Sequence, residues 1–124
     1  MAKHLLIVDD EAPFRFSASI ALRQAGYEVS EAKDGEEGFM MIIDRHRRGI
    51  PFDMIVLDIH MPKMSGIDVY DALKQRGIEV PVMFISGYFD KATIKILEQK
   101  RYCGVLQKPF EAVQMLRSIE FMMS

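Results

Sequence analysis

Short apolar segments alternate with longer amphipathic segments along the chain. The continuous apolar runs at residues 5–8, 54–57 and 82–85 are typical of strands that are buried on both faces. Residues 27–32 are more polar and predict a strand near a sheet edge, and residues 103–107 predict the last strand. Helical patterns lie between and after these strands, over residues 13–26, 35–48, 65–76, 90–100 and 111–123.

The helix ends carry the expected signals. Pro13 opens the first helix, and Asp34 and Ser65 stand where N-caps of the second and third are expected. Gly26 and Gly49 follow the last turns of the first two helices and are expected to end them.

This alternation predicts an α/β fold built from right-handed βαβ units. We expect a doubly wound, five-stranded parallel sheet with helices on both faces, in the flavodoxin-like strand order 2-1-3-4-5. The sequence contains no linker, repeat or low-complexity segment, so all 124 residues are predicted to form one domain.

Composition narrows the class of protein. A net charge of −2 argues against nucleic acid as a direct ligand, and the basic run at residues 45–48 suits a helix C-terminus. Cys103 is the single cysteine, expected to be a small buried apolar residue and not part of a disulfide or thiolate metal site. No apolar run approaches the ~18 residues of a membrane span, and no signal-peptide layout precedes the first strand. We therefore expect a cytoplasmic protein without membrane contact.

Chemistry-bearing residues stand at the predicted strand ends. Asp9, Asp10 and Glu11 follow the first strand, while Asp58, Ser86 and Lys108 end the third, fourth and fifth. The carboxyl ends of parallel strands meet at one edge, where ligands bind in such sheets. Gathered carboxylates repel by about 4 kcal/mol per pair at 4 Å and an effective dielectric of 20, so they require a proton, the lysine or a cation.

Mg²⁺ suits such a set of hard oxygen ligands, and a free carboxylate beside it suits phosphoryl transfer. Taken singly, each residue has a simpler interpretation: an Asp after a strand is usually a turn or cap residue, and Lys108-Pro109 is an ordinary loop end. Their coincidence at four sheet ends favours the functional interpretation.

With these motifs the sequence resembles the response regulator receiver-domain family, which includes the single-domain chemotaxis response regulators. The resemblance covers the whole chain. The motifs that carry it are Val8-Asp9-Asp10-Glu11, the segment 58–66, Ile85-Ser86-Gly87-Tyr88 and Gln107-Lys108-Pro109-Phe110.

The resemblance implies a role for each position. Asp58 corresponds to the phosphoacceptor and, with Asp9, Asp10 and the backbone carbonyl of His60, to the Mg²⁺ ligands. Ser86 corresponds to the switch hydroxyl that binds the phosphoryl group. Lys108 corresponds to the lysine that pairs first with Asp58 and then with the phosphate. The Lys108-Pro109 bond corresponds to a cis peptide, which X–Pro bonds alone adopt at low cost.

One position departs from the family pattern. Family members often carry Tyr or Phe three residues before the lysine, where this chain has Val105, and a valine cannot make the inward swing of an aromatic ring. Tyr102 is expected to face elsewhere.

His60 and Tyr88 flank the acceptor in the family, and two bulky side chains there predict slow self-dephosphorylation unless both point to solvent. The chain is accordingly not expected to be a conventional turnover enzyme.

The resemblance also implies partners. The phosphodonor is expected to be a sensor histidine kinase or a phosphotransfer protein, and an effector protein is expected on the face formed by the fourth helix, fifth strand and fifth helix. The residues expected on that face are Ile94, Leu97, Gln99, Arg101, Tyr102, Gln114 and Arg117. The sequence leaves open whether the receiver acts alone or was cut from a longer regulator, and we favour the former.

Three other functions compete with this interpretation. A flavin-binding module needs a phosphate-holding loop after the first strand, where Asp9, Asp10 and Glu11 would repel phosphate. A phosphatase with an aspartyl nucleophile usually places an Asp that acts as general acid two residues after the nucleophile, where this chain has His60. A degenerate receiver that binds partners without phosphorylation is the remaining alternative, although all of the expected site residues are present.

Overall fold

The computed structural model describes residues 2–100 and 104–123. In chain order its elements are β1 (His4–Val8), α1 (Ala12–Gln24), β2 (Glu28–Ala32), α2 (Gly35–Arg47), β3 (Met54–Asp58), α3 (Gly66–Gln75), β4 (Val82–Ser86), α4 (Lys91–Glu98), β5 (Gly104–Gln107) and α5 (Ala112–Met123).

The strands form one parallel sheet in the order β2-β1-β3-β4-β5, which confirms the predicted topology. β3 and β4 are buried at every residue, as their continuous apolar runs predict. β2 lies at an edge and is only partly buried, as its mixed sequence predicts. The register aligns Asp58 with Ile85 and Ser86 with Gln107, so the polar ends of β3, β4 and β5 lie side by side.

The sheet separates two apolar cores, because successive strand residues point to opposite faces. On one face Leu6, Leu57 and Phe84 pack with residues of α2, α3 and α4. On the other face Leu5 and Ile85 pack with residues of α1 and α5. Because helices cover both faces of the sheet, a polar site can form only at the ends of the strands. Across the described residues, every helix is too short or too polar to cross a lipid bilayer.

The helix termini follow the sequence signals to within two residues. The side chains of Asp34 and Asp90 accept hydrogen bonds from backbone N–H groups in the first turns of α2 and α4. Ser65 forms a reciprocal capping box with Asp68 at the start of α3. Gly49, just past α2, has a φ of +73°, which explains why a glycine ends this segment.

Two residues predicted to lie in strands do not belong to a described strand. Tyr27, predicted as the first residue of a strand, precedes β2 and packs partly buried against the core on the α1 side. Cys103 lies outside the described residues, so the prediction that it is a buried strand residue stays a prediction, as do the expectations for Arg101 and Tyr102.

The prediction for Leu97 was wrong. It was expected on a partner-binding surface, but its side chain is only 3% exposed and belongs to the core on the α2 side. Thr93 and Leu97 stand four residues apart and both are buried, so they define the inner stripe of α4. Ile94 and Ile96 lie off this stripe and are exposed.

Candidate functional site

The carboxyl ends of four strands bring the predicted site residues to one edge of the sheet. Asp9 and Asp10 follow β1, Asp58 and Ser86 are the last residues of β3 and β4, and Lys108 follows β5. β3 lies between β1 and β4, so Asp58 occupies the middle of the arrangement. Backbone hydrogen bonds join these ends: Ile59 N donates to Ile85 O, and Lys108 N donates to Ser86 O at 2.7 Å.

Three carboxylates form the acidic part of the site. Asp9, Asp10 and Asp58 each offer an oxygen, and these three oxygens lie within 4.8 Å of one another. Asp9 is fully buried and Asp58 is 3% exposed, whereas Asp10 is exposed. Burial, together with the negative charge of Asp9, raises the pKa of Asp58 to about 7. The acid cluster thus concentrates negative charge where little water screens it.

The donor set of this cluster fits a hard divalent cation. Carboxylate oxygens are the ligands that Mg²⁺ and Ca²⁺ prefer, and the exposed Asp10 leaves one side open to the waters that Mg²⁺ retains. Asp9 Oδ2 is buried against the Lys108 ammonium at 2.7 Å, a positive charge that a bound cation could replace. The three carboxylates could therefore hold a metal ion.

Lys108 supplies the positive charge, and its ammonium is shared among three carboxylates. Nζ lies 2.7 Å from Asp9 Oδ2, 2.8 Å from Glu11 Oε1 and 3.8 Å from Asp58 Oδ2. The contact with Asp9 is a buried ion pair, and the contact with the exposed Glu11 is both an ion pair and a hydrogen bond. Burial opposes the charge, but these carboxylates outweigh it and raise the pKa of Lys108. The resting ammonium therefore lies nearer to Asp9 than to Asp58.

Asp9 is held in place through both its side chain and its backbone carbonyl. Its Oδ1 accepts a hydrogen bond from the backbone N–H of Glu11, and its backbone carbonyl accepts one from Arg15 Nη1 at 2.8 Å. Arg15 is fixed in turn by an ion pair with Glu31 at 3.1 Å. Burial raises the pKa of Asp9, while the contacts with Lys108 and with the Glu11 N–H oppose that rise. The position of this carboxylate is thus set by α1 and β2 as well as by β1.

The loop after β3 is packed tightly against the acidic edge. A Cβ added to Gly66 would clash with the backbone carbonyl of Asp58, so α3 begins directly against the end of β3. Within the loop, Lys63 has a φ of +67° and Met64 N donates to Pro62 O at 2.8 Å. This close approach orients the Asp58 backbone and brings His60 beside it, with His60 N 3.3 Å from Asp58 Oδ1.

Ser86 and the two flanking aromatic residues form a connected group. Ser86 is fully buried, and its Oγ donates to Tyr88 O at 2.6 Å and accepts from Tyr88 N at 3.2 Å. The rings of His60 and Tyr88 are stacked, with centroids 4.2 Å apart and planes 13° apart. The two rings thus contact each other, although the Tyr88 side chain remains 55% exposed.

The Lys108–Pro109 peptide bond, just after β5, and Val105, within β5, were singled out from the sequence. The Lys108–Pro109 peptide bond is cis, as the resemblance implies. Val105, which replaces the usual aromatic residue, lies on β5 with 43% of its surface exposed.

Sequence reasoning missed the residues that surround the lysine. The Phe14 ring lies 4.2 Å from Lys108 Nζ and packs edge-on against Phe110. Glu11 was recognised as part of an acidic run but not as a partner of Lys108. No local signal identifies these contacts, because Glu11 and Lys108 are 97 residues apart in the chain. The stacking of His60 on Tyr88 was missed for the same reason.

Comparison with known protein families matches residues 5–120 to the family described as "Response regulator receiver domain". Among curated proteins, the chain is 34% identical over 118 residues to the transcriptional regulatory protein DltR of Streptococcus agalactiae, covering 93% of this chain and 49% of DltR. It is 30% identical over 119 residues to the sensor kinase CckA of Brucella abortus, covering 96% of this chain and 12% of the kinase. The chain therefore spans about half the length of DltR and a smaller share of CckA.

Solved structures agree with this assignment. The chemotaxis protein CheY4 of Vibrio cholerae superposes with a TM-score of 0.84 at 26% identity, covering 98% of this chain and 99% of CheY4. A CheY-like receiver domain protein of Methanospirillum hungatei superposes with a TM-score of 0.86 at 25% identity, covering 99% of this chain and 94% of that one. With the family match over nearly the whole chain and the acid cluster at the sheet edge, the chain belongs to the response regulator receiver domain family.

Proposed function

We propose that this receiver domain accepts a phosphoryl group on Asp58, in a Mg²⁺-dependent reaction with a sensor histidine kinase or a phosphotransfer protein. One observation carries the proposal: a nearly buried Asp58 lies with two other carboxylates inside 4.8 Å and with an ammonium 3.8 Å away. Such a site offers a nucleophile, a place for a divalent cation and a fixed positive charge.

The side chains divide the chemistry among them. Asp9, Asp10 and Asp58, with the backbone carbonyl of His60, would hold Mg²⁺. When bound, the cation supplies charge neutralisation that lets a carboxylate approach an anionic phosphoryl group. An Asp58 oxygen attacks phosphorus and forms the acyl phosphate, while the P–N bond of the donor phosphohistidine breaks and its electron pair stays on the imidazole nitrogen.

Two further side chains act on the phosphoryl oxygens. Lys108 is 12% exposed and close enough to Asp58 to move onto a phosphoryl oxygen once Asp9 is bound to a cation. Ser86, at the end of the neighbouring strand, can donate a hydrogen bond to another oxygen. The lysine supplies charge, whereas the hydroxyl supplies a directional bond that depends on the backbone arrangement.

We further propose that residues 1–124 act as one receiver unit whose effector protein binds the α4–β5–α5 face. The supporting observation is that this face exposes apolar and polar side chains together. Ile94 and Val105 are each 43% exposed, and Gln99, at the end of α4, and Gln114 and Arg117, on α5, are also exposed. Output through a protein partner, without direct nucleic-acid contact, agrees with the net charge of −2.

His60 and Tyr88 are proposed to lengthen the life of the acyl phosphate. His60 and Tyr88 carry bulky rings two residues after Asp58 and Ser86, so their side chains limit the space from which water can approach, whether or not the two rings stay stacked. The phosphorylated domain would then lose its phosphoryl group slowly and would act as a signal carrier, not as a turnover enzyme.

Intact mass measurement tests the central proposal. The protein incubated with acetyl phosphate and Mg²⁺ should gain one phosphoryl group, and Asp58→Asn should gain none. Asp53→Asn is the matched control, because Asp53 lies before β3, at the opposite end of the sheet, where it accepts a hydrogen bond from His4 N. It should be phosphorylated like the wild type. An unchanged mass of the wild type with Mg²⁺ present would favour the degenerate receiver.

A further inference from the structure

The hydroxyl of Ser86 is committed to the backbone of Tyr88. Its Oγ donates to Tyr88 O at 2.6 Å and accepts from Tyr88 N at 3.2 Å. A hydroxyl has a single hydrogen to donate, so it cannot bond to Tyr88 O and to a phosphoryl oxygen at the same time. Any donation from Ser86 to a phosphoryl group must therefore release the Tyr88 carbonyl.

The same carbonyl oxygen is also held by His60. His60 Nε2 lies 3.3 Å from Tyr88 O, where the tautomer with hydrogen on Nε2 donates to it. The ring of Tyr88 stacks on the His60 ring at 4.2 Å. The loop after β3 and the loop after β4 are thus joined by one stack and one hydrogen bond, both centred on Tyr88. Releasing Ser86 from Tyr88 removes one of the contacts that hold this arrangement.

Tyr88 lies in the four-residue loop between Ser86, the last residue of β4, and Lys91, the first residue of α4. Asp90, two residues later, caps α4 by accepting from Thr93 N at 2.8 Å. On the other side, Gly87 has no atom within 4 Å of where a Cβ would be, so the chain has room to move there. A displacement of the Tyr88 backbone is therefore passed to the first turn of α4.

We propose that Tyr88 is a positioning residue for Ser86. Its stack on His60 holds the Ser86 hydroxyl in the resting arrangement. When Asp58 is phosphorylated, release of that stack transmits the structural change to the start of α4. This replaces the swing of an aromatic ring at position 105, which Val105 cannot make. The inference rests on the proposed phosphorylation of Asp58, and Tyr88 itself touches no reacting atom.

The test follows the backbone amide of Thr93 by ¹H–¹⁵N NMR, before and after treatment with acetyl phosphate and Mg²⁺, with the intact mass of each sample recorded. In the wild type the amide should shift as the mass rises. In Tyr88→Leu, which lacks the ring, the untreated amide should already lie part of the way to that position, and the further shift should fall at least about twofold.

Three variants make this result specific. Tyr88→Phe keeps a ring that can stack and should behave like the wild type. Phe16→Leu is the matched control, since Phe16 is 54% exposed compared with 55% for Tyr88 but lies on α1. It should also behave like the wild type. Compared with the wild type at the same phosphorylated fraction by mass, Ser86→Ala should show little movement of the Thr93 amide, because the phosphoryl charge is present but the hydroxyl is not.

The outcomes separate the two proposals. If the wild-type mass does not rise, the proposed phosphorylation fails and the inference fails with it. If the mass rises but Tyr88→Leu shows the full wild-type shift, or Ser86→Ala does, only the role of Tyr88 is overturned. The dispersed amide spectrum of each variant shows whether it is folded, and the Asp53 amide, at the opposite end of the sheet, should remain unchanged in all of them.

Discussion

Lys108 makes a closer ion pair with Asp9, at 2.7 Å, than with Asp58, at 3.8 Å. Asp9 is fully buried, so the ammonium offsets a carboxylate that has no water to solvate it. A cation bound to Asp9 would take over that task and free Lys108 for Asp58 or for a phosphoryl oxygen. The resting position of the lysine would thus make the proposed Mg²⁺ binding and the proposed phosphoryl transfer interdependent.

Asp58→Asn should remove a pH dependence of stability. Burial and the charge of Asp9 raise the pKa of Asp58 from 3.8 to about 7. The folded protein therefore binds this proton more tightly than the unfolded chain. The resulting stabilisation is complete below the unfolded pKa of about 3.8 and is lost as the pH rises through about 7.

Urea unfolding without Mg²⁺ should show the free energy of unfolding of the wild type falling, relative to Asp58→Asn, between about pH 4 and pH 8. At 1.36 kcal/mol per pH unit the fall amounts to at most about 4 kcal/mol. The difference between the two proteins cancels the contributions of distant groups such as His4. A difference that does not change with pH would contradict the proposed burial of charge at Asp58.

Lys108→Met should destabilise the metal-free protein near pH 8 by about 3 kcal/mol or more, because it leaves buried Asp9 without a cation. Lys74→Met is the matched control. Lys74 forms an exposed ion pair with Glu79 at 3.6 Å, and its loss should change the free energy of unfolding by about 0.5 kcal/mol or less. Equal effects in urea unfolding of the two variants would show that Lys108 is not needed to offset the acid cluster.

Asp10→Asn should weaken Mg²⁺ binding by at least about tenfold. Mutation of a residue that only hydrogen-bonds to a metal ligand already lowers metal affinity by about that factor, and Asp10 is a proposed ligand itself. Asp10 is the exposed member of the cluster, so its replacement leaves the buried core intact. The dependence of the melting temperature on Mg²⁺ concentration measures the effect. Asp44→Asn, which removes an exposed carboxylate on α2, should leave the Mg²⁺ dependence unchanged. Equal weakening in both variants would mean that the effect is only one of net charge.

Gly66→Ala should destabilise the domain by about 1–3 kcal/mol, because the added methyl group meets the backbone carbonyl of Asp58. The same methyl group at Gly87 meets no atom within 4 Å, and Gly87→Ala should leave stability nearly unchanged. Urea unfolding compares the two variants. If Gly66→Ala were as stable as Gly87→Ala, the close packing of α3 on β3 would be refuted.

Much of the site was predictable because each of its residues is tied to the end of a strand. The apolar runs that stop at Asp58 and Ser86 set where β3 and β4 end, and a parallel sheet brings such ends to one edge. The same periodicity predicted the parallel sheet and the edge position of β2, whereas the strand order was the one that flavodoxin-like folds share. Asp34 and Ser65 marked helix starts because capping depends only on residues three positions apart.

The partners of these residues were decided by the tertiary structure alone. Periodicity did not reveal which of the apolar residues of α4 faces the core, and the packing of the helix turned Leu97 inward and left Ile94 exposed. The hydrogen bond between Lys108 and Glu11 and the stack of His60 on Tyr88 join segments far apart in sequence. Local patterns fix which atoms a segment carries and where it ends, whereas the position of a side chain among several competing partners depends on how the helices and loops pack around it.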